Sequence, residues 1–198
     1  MVKTLTINRQ ISPNSNLPRI GGDSFLPLEF DWPSNSNGDK LTLIFSLPSL
    51  FLNKHCGLNL AENEYISVFS TYNNDYFLDD VIDNGDISDS KEIYQNFTRV
   101  IRHPIGCCRN ESINKLDSFL IEAKEYNPND IYTRIGGAPV FLQSPVSDVA
   151  FMRFCFQLNC EILPKKISNI LYLEDAVGYL FINANNKDIF GCYFGQCL

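Results

Sequence analysis

No apolar run in the sequence approaches the ~20 residues that a membrane-spanning helix requires. The opening, MVKTLTINRQ, alternates polar and apolar residues and lacks the continuous apolar segment and cleavage site of a secretory signal. A cytoplasmic protein is therefore expected. Positive charge is also short: 16 Lys and Arg face 23 Asp and Glu, for a net charge of −7. Nucleic-acid binding depends on neutralising phosphates, and anionic membranes likewise recruit basic segments, so neither partner is expected. A basic protein is the natural complement, because opposite fields speed and orient encounter.

Signatures of catalysis are scarce as well. No Gly-Lys-Ser/Thr phosphate loop and no Gly-x-Ser-x-Gly elbow occurs. With two histidines in the chain, the only His–Cys neighbours are His55-Cys56 and His103 with Cys107 and Cys108. They leave a Cys–His hydrolase as a minor alternative. Seven cysteines, an odd and scattered set, do not read as a disulfide framework. Cys155/Cys160 and Cys192/Cys197 are each five apart, wider than structural zinc spacing and on opposite faces of a strand. The acidic stretch 73–90 fails as a calcium loop: with Gly85 sixth, Ile82 takes the third place and Lys91 the twelfth. No metal and no cofactor is expected.

What the chain does contain is a four-residue motif used twice. Arg19-Ile20-Gly21-Gly22 is followed by apolar runs at 41–47 (LTLIFSL) and 65–72 (YISVFSTY). Arg134-Ile135-Gly136-Gly137 is followed by similar runs at 151–158 (FMRFCFQL) and 177–184 (VGYLFINA). Self-similarity carried by a motif and two strand-like runs in order predicts a tandem duplication. The expected fold is α+β and β-rich, one domain over 1–198 made of two antiparallel-sheet units. The halves are placed at about 1–88 and 130–198, with a spacer at 89–129. Helical spacing of Ile93, Phe97, Val100 and Ile101, and of Ile113, Leu116, Leu120 and Ala123, predicts two helices in that spacer.

Two groups of candidate residues emerge. The repeated arginines and glycines, with Ser46, Gln143, Gln157, Glu174 and Asp175 nearby, either pin the halves together through an ion pair such as Arg to Asp175 or line a groove between them. The acidic stretch supplies Asp79, Asp80, Asp83 and Asp86, with Trp32, Tyr72, Tyr76 and Phe77 as aromatic anchors for a protein partner.

The order GG-x3-LP…WP, apolar strand, LP-x-L, YISVFSTY, and then GGAPVFLQ, CFQL and EDAVGYLFINA, resembles the two halves of the YwqG-like proteins over about residues 17–72 and 132–198. Ser46 departs from the expected glutamine, Phe141 from the expected tryptophan, and EDAVG from the family's Gly-Asp turn. The resemblance implies a duplicated β-rich fold without established catalysis, in protein-binding modules that are chaperone-like or act as immunity proteins in bacterial toxin systems. Expected first is an immunity protein that occludes a basic toxin with its acidic loop. The alternative is a peptide-binding chaperone that uses the inter-half groove and depends on Arg19, Arg134 and Gln157.

Overall fold

The computed structural model describes residues 1–72, 80–146, 149–183 and 190–197, with the backbone alone for 87–89. The expected anchors Tyr76 and Phe77 and the expected acidic contact Asp79 lie outside the described residues. Among the described residues the structure is β-rich, with two antiparallel sheets and two α-helices. Among the described residues no helix is long and apolar enough to cross a membrane.

The strands run in the order β1 (Lys3–Thr6), β2 (Arg19–Ile20), β3 (Thr42–Pro48), β4 (Glu64–Ser70), β5 (Thr98–Pro104), β6 (Phe119–Leu120), β7 (Glu122–Lys124), β8 (Arg134–Ile135), β9 (Arg153–Asn159), β10 (Val177–Ile182) and β11 (Gly191–Gln196). Helix α1 (Ser49–Cys56) joins β3 to β4, and α2 (Ile87–Glu92) continues as a π turn, Ile93–Phe97, into β5. One sheet has the order β5-β4-β3-β2-β6 and the other β11-β10-β9-β8-β1-β7.

The sheets meet through one large apolar layer. Phe45, Leu47, Ile66 and Val68 enter it from the first sheet, and Phe156, Leu158, Leu180 and Tyr193 from the second. Phe45 stands edge-on to Phe156, with ring centres 5.2 Å apart, and to Tyr193 at 5.4 Å. Each outer face carries its own cover. Leu26 and Trp32 lie over Leu43 and Phe69 of the five-stranded sheet, while Phe141, Val146 and Val149 lie over Phe154, Tyr179 and Phe181 of the other.

A bulge in each sheet makes this two-sided burial possible. Pairing shifts between Leu43 and Phe45 in β3 and between Phe154 and Phe156 in β9, leaving Ile44 and Cys155 as the extra residues. One inserted residue reverses the in–out alternation. Leu43 and Phe154 therefore face the outer covers, while Phe45 and Phe156, two positions on, face the interior.

The spacer departs from expectation. Helix occupies 87–97, but residues 98–104 form β5 on the edge of β4, and 112–124 holds no helix. In 98–104 a strand alternation (Thr98, Val100, Arg102 against Arg99, Ile101, His103) coexists with the helical spacing, and pairing with β4 decides for strand. In 118–124 the backbone is taken by the N-terminal segment: Leu120 N–H donates to Arg9 O at 2.9 Å, and β7 pairs with β1. Ile113, expected on a buried helix face, is 99% exposed. Helix α1 lies between the apolar runs 41–47 and 65–72, and Gly57 in the left-handed conformation ends it.

Candidate functional site

The repeated motif occupies corresponding places in the two sheets. Arg19 lies opposite Ser46 and Ile20 opposite Phe45, while Arg134 lies opposite Gln157 and Ile135 opposite Phe156. The next residue repeats the match: Gly21 N–H donates to Ile44 O and Gly136 N–H to Cys155 O, both at 2.8 Å. All four glycines have φ between 65° and 81°, the left-handed region that favours glycine. Close approach adds a second constraint, since a Cβ on Gly136 would lie 2.6 Å from His55 O.

The arginines serve the turns they precede. Arg19 is fully buried; its Nε donates to Ser15 O at 2.9 Å, and its terminal nitrogens donate to Gly21 O and Asp23 O. Burial lowers its pKa. Arg134, half-buried, donates from Nε to Ile131 O at 2.8 Å and stacks on Tyr126. Neither forms an ion pair among the described residues, so the expected pairing with Asp175 is replaced by backbone carbonyls. A guanidinium has five donors in a fixed fork, which suits it to gather such carbonyls at a tight turn.

Gln157 is likewise spent internally. Its Oε1 accepts from Val140 N at 2.7 Å and its Nε2 donates to Val140 O at 3.1 Å, pinning the chain after the second Gly-Gly across the outer face. Tyr179 adds two bonds to that segment, to Leu142 N and Val140 O, and Gln196 and Gln143 tie its far end to β11. Ser46, at the place of Gln157, has a buried hydroxyl without a hydrogen-bond partner among the described residues. In the first half Arg109 takes over the pinning, donating to Leu26 O and Pro27 O at 2.9 Å each and also to Phe30 O. Sequence reading passed over Tyr179, Gln196 and Arg109.

The acidic and aromatic candidates divide. Asp83 is fully buried; its carboxylate accepts from Ser90 Oγ at 2.7 Å, Tyr94 OH at 3.2 Å and Gly85 N at 2.8 Å, which fixes a turn and leaves no face for a partner. Trp32 is a core residue as well, donating from Nε1 to Leu41 O at 2.8 Å and packing edge-on to Phe69. Asp86 is exposed and Tyr72 half-buried, with its hydroxyl on Asn169 Oδ1 at 2.9 Å. Asp175 and Glu174 border a separate cleft with Glu161, Lys165 and Cys160, whose thiol burial pushes up to about 12.

The histidines do not meet the cysteines. His55 packs on Phe51, and the Cys56 thiol turns to Cys155 O. His103 Nε2 lies 2.8 Å from Ser67 Oγ, and its Nδ1 lies 2.7 Å from Pro104 O. Among the described residues no three His, Cys, Asp or Glu side chains gather as a metal site would.

Among the described residues, open clefts also lie at corresponding ends of the sheets. The first, of about 620 Å³, lies where β3 begins and β4 ends; Asp39, Lys40, Tyr72, Asp80, Ile113 and Asn114 are among its walls. The second, of about 570 Å³, lies where β9 begins and β10 ends, with Phe151, Met152 and Arg153 on one side and Gly137 on the other. Among the described residues the first contains two carboxylates and one lysine, and Lys40 Nζ is engaged by Trp32 O at 3.3 Å and Glu111 at 3.6 Å. Neither arginine of the repeated motif, nor Gln157, borders either cleft. No protein-family model matches the chain, and no curated protein matches it.

Proposed function

We propose that this chain is a non-enzymatic protein-binding module that docks a basic protein at the cleft bearing Asp39 and Asp80. Its most concrete form is an immunity protein that neutralises a basic toxin by covering it. The observation that carries the reading is the juxtaposition of those carboxylates with Ile113, 99% exposed on the same cleft, and Tyr72 beside it. An exposed aliphatic and an aromatic supply contact area, and the carboxylates supply selection and speed of encounter. The net charge of −7 favours the same sign of partner.

We further infer that the two halves are copies of one unit, a reading supported by the matched registers, bulges and glycine turns and by the resemblance to the YwqG-like proteins. In that reading β1 and β6 are the corresponding first strands, each completing the sheet of the other half. A peptide groove built on Arg19, Arg134 and Gln157 loses its support, since Arg19 and Gln157 are buried and spend their donors on their own backbone.

The test is recovery of the protein with its partner from native cells at low ionic strength, comparing wild type with Asp39→Asn/Asp80→Asn. The double variant is expected to lose a basic partner that the wild type retains. Equal retention, or a partner of acidic composition, contradicts the reading.

A further inference from the structure

Of the seven cysteines, Cys107 and Cys108 are exposed, four are buried and Cys197 is half-buried. The exposed two are adjacent, and the backbone that carries them is held on both sides. Gly106 N–H donates to Phe25 O at 2.8 Å, while Arg109 and Ser24 exchange both backbone hydrogen bonds, at 2.8 and 2.9 Å. Residues 24 and 25 are consecutive, whereas 106 and 109 have two residues between them. Cys107 and Cys108 are therefore the surplus of a short ladder, pushed outward as a two-residue bulge.

The residue next to the pair leads inward. Arg109 holds the carbonyls of Leu26, Pro27 and Phe30, and its guanidinium lies 5.5 Å from the ring centre of Trp32, the one tryptophan in the chain. Any change in the path of 106–109 is thus passed to the cover over the outer face of the five-stranded sheet.

We propose that Cys107 and Cys108 form a reversible dithiol–disulfide switch that acts on the Leu26–Trp32 cover through Arg109. The oxidant is a low-molecular-weight disulfide. Cys107 loses its proton to solvent and its thiolate attacks one sulfur of that disulfide, releasing one thiol and leaving a mixed disulfide. Cys108, deprotonated in turn, attacks the Cys107 sulfur, closing the ring and releasing the second thiol. One disulfide is reduced, two protein thiols are oxidised, and the protons end on the released thiols. Burial and nearby Asp23 push the Cys108 thiol up, so it stays protonated through the first step and the second, intramolecular attack relies on its adjacency to the Cys107 sulfur. A trans peptide keeps neighbouring Cα atoms at about 3.8 Å, under the ~4.4 Å lower end for ordinary disulfides. The closed ring is strained and belongs to the labile, regulatory class.

The experiment exposes the folded protein to glutathione disulfide, traps free thiols by alkylation, and maps the peptide 103–109 (HPIGCCR) by mass, with Trp32 emission followed in parallel. Expected is a peptide lighter by two hydrogens, a shifted Trp32 emission, and return of both signals on adding a dithiol reductant. Cys107→Ser and Cys108→Ser should each stop at a single glutathione adduct, and Cys197→Ser should behave as wild type. Persistent adducts on wild type, or a bridge from this peptide to another cysteine, overturn the switch. Ring closure with unchanged Trp32 emission overturns its coupling to the cover.

Discussion

Ser67 Oγ lies 2.8 Å from Nε2 of His103, and both side chains are buried. Nδ1 faces Pro104 O at 2.7 Å and so must carry a proton, which makes Nε2 the acceptor from Ser67. Burial lowers the His103 pKa, against the smaller opposing pull of the Pro104 carbonyl. A histidine held neutral in the fold binds its second proton more readily when unfolded. Its contribution to stability is therefore whole above the unfolded value near 6.5 and is lost as pH falls towards the folded one. The urea midpoint should drop from pH 7 to pH 5.5. His103→Gln should lower the midpoint at pH 7 yet flatten the slope; His55, shifted the same way, keeps it from vanishing. A slope unchanged in His103→Gln sinks this assignment.

The corresponding positions Ser46 and Gln157 should respond in opposite ways to alanine. Gln157→Ala leaves the Val140 N–H without its partner and the Val140 C=O with Tyr179 alone, at a cost of about 1–3 kcal/mol. Ser46→Ala removes a buried hydroxyl that has no hydrogen-bond partner among the described residues, and is expected to be neutral or stabilising by up to about 1 kcal/mol. Chemical denaturation of the two variants measures both.

Among the glycines, Gly136 and Gly38 separate strain from crowding. Gly38→Ala meets only the left-handed backbone, at φ 86° with nothing within 4 Å, and should cost about 1 kcal/mol. Gly136→Ala adds a Cβ 2.6 Å from the backbone oxygen of His55, and should cost about 3 kcal/mol or more. Equal melting temperatures for the two would show that the turn relaxes freely.

Asp83 belongs to stability, whereas the proposed docking surface uses Asp39 and Asp80. Asp83→Ala removes three hydrogen bonds to a buried carboxylate and is expected to destabilise by about 3 kcal/mol. Partner affinity, measured at a temperature where the variant is folded, should be unchanged.

Much of the strand pattern was legible because apolar runs of the right length survive at 41–47, 65–72, 151–158 and 177–184. The glycine turns were legible too, since few other residues accept that backbone. The strand at 98–104 was not, because Ile93, Phe97, Val100 and Ile101 satisfy a helical period as well, and only β4 settles the choice. At the site, local sequence cannot tell a core tryptophan from an exposed one, nor a turn-fixing aspartate from a docking one. Tyr179, Gln196 and Arg109 were invisible for a related reason: they bond backbone groups 37, 53 and 83 residues away in the chain. Ile113 fits a buried helix face by its spacing and stands in solvent because its segment forms no helix.

The salt dependence of partner affinity, compared between wild type and Asp39→Asn/Asp80→Asn, tests docking at the acidic cleft most directly. With the co-purified partner, wild-type affinity is expected to fall steeply as ionic strength rises. The double variant should bind about tenfold or more weakly at low salt, a loss of about 1.4 kcal/mol or more, with a flatter dependence. Coincident curves for the two proteins would contradict the account.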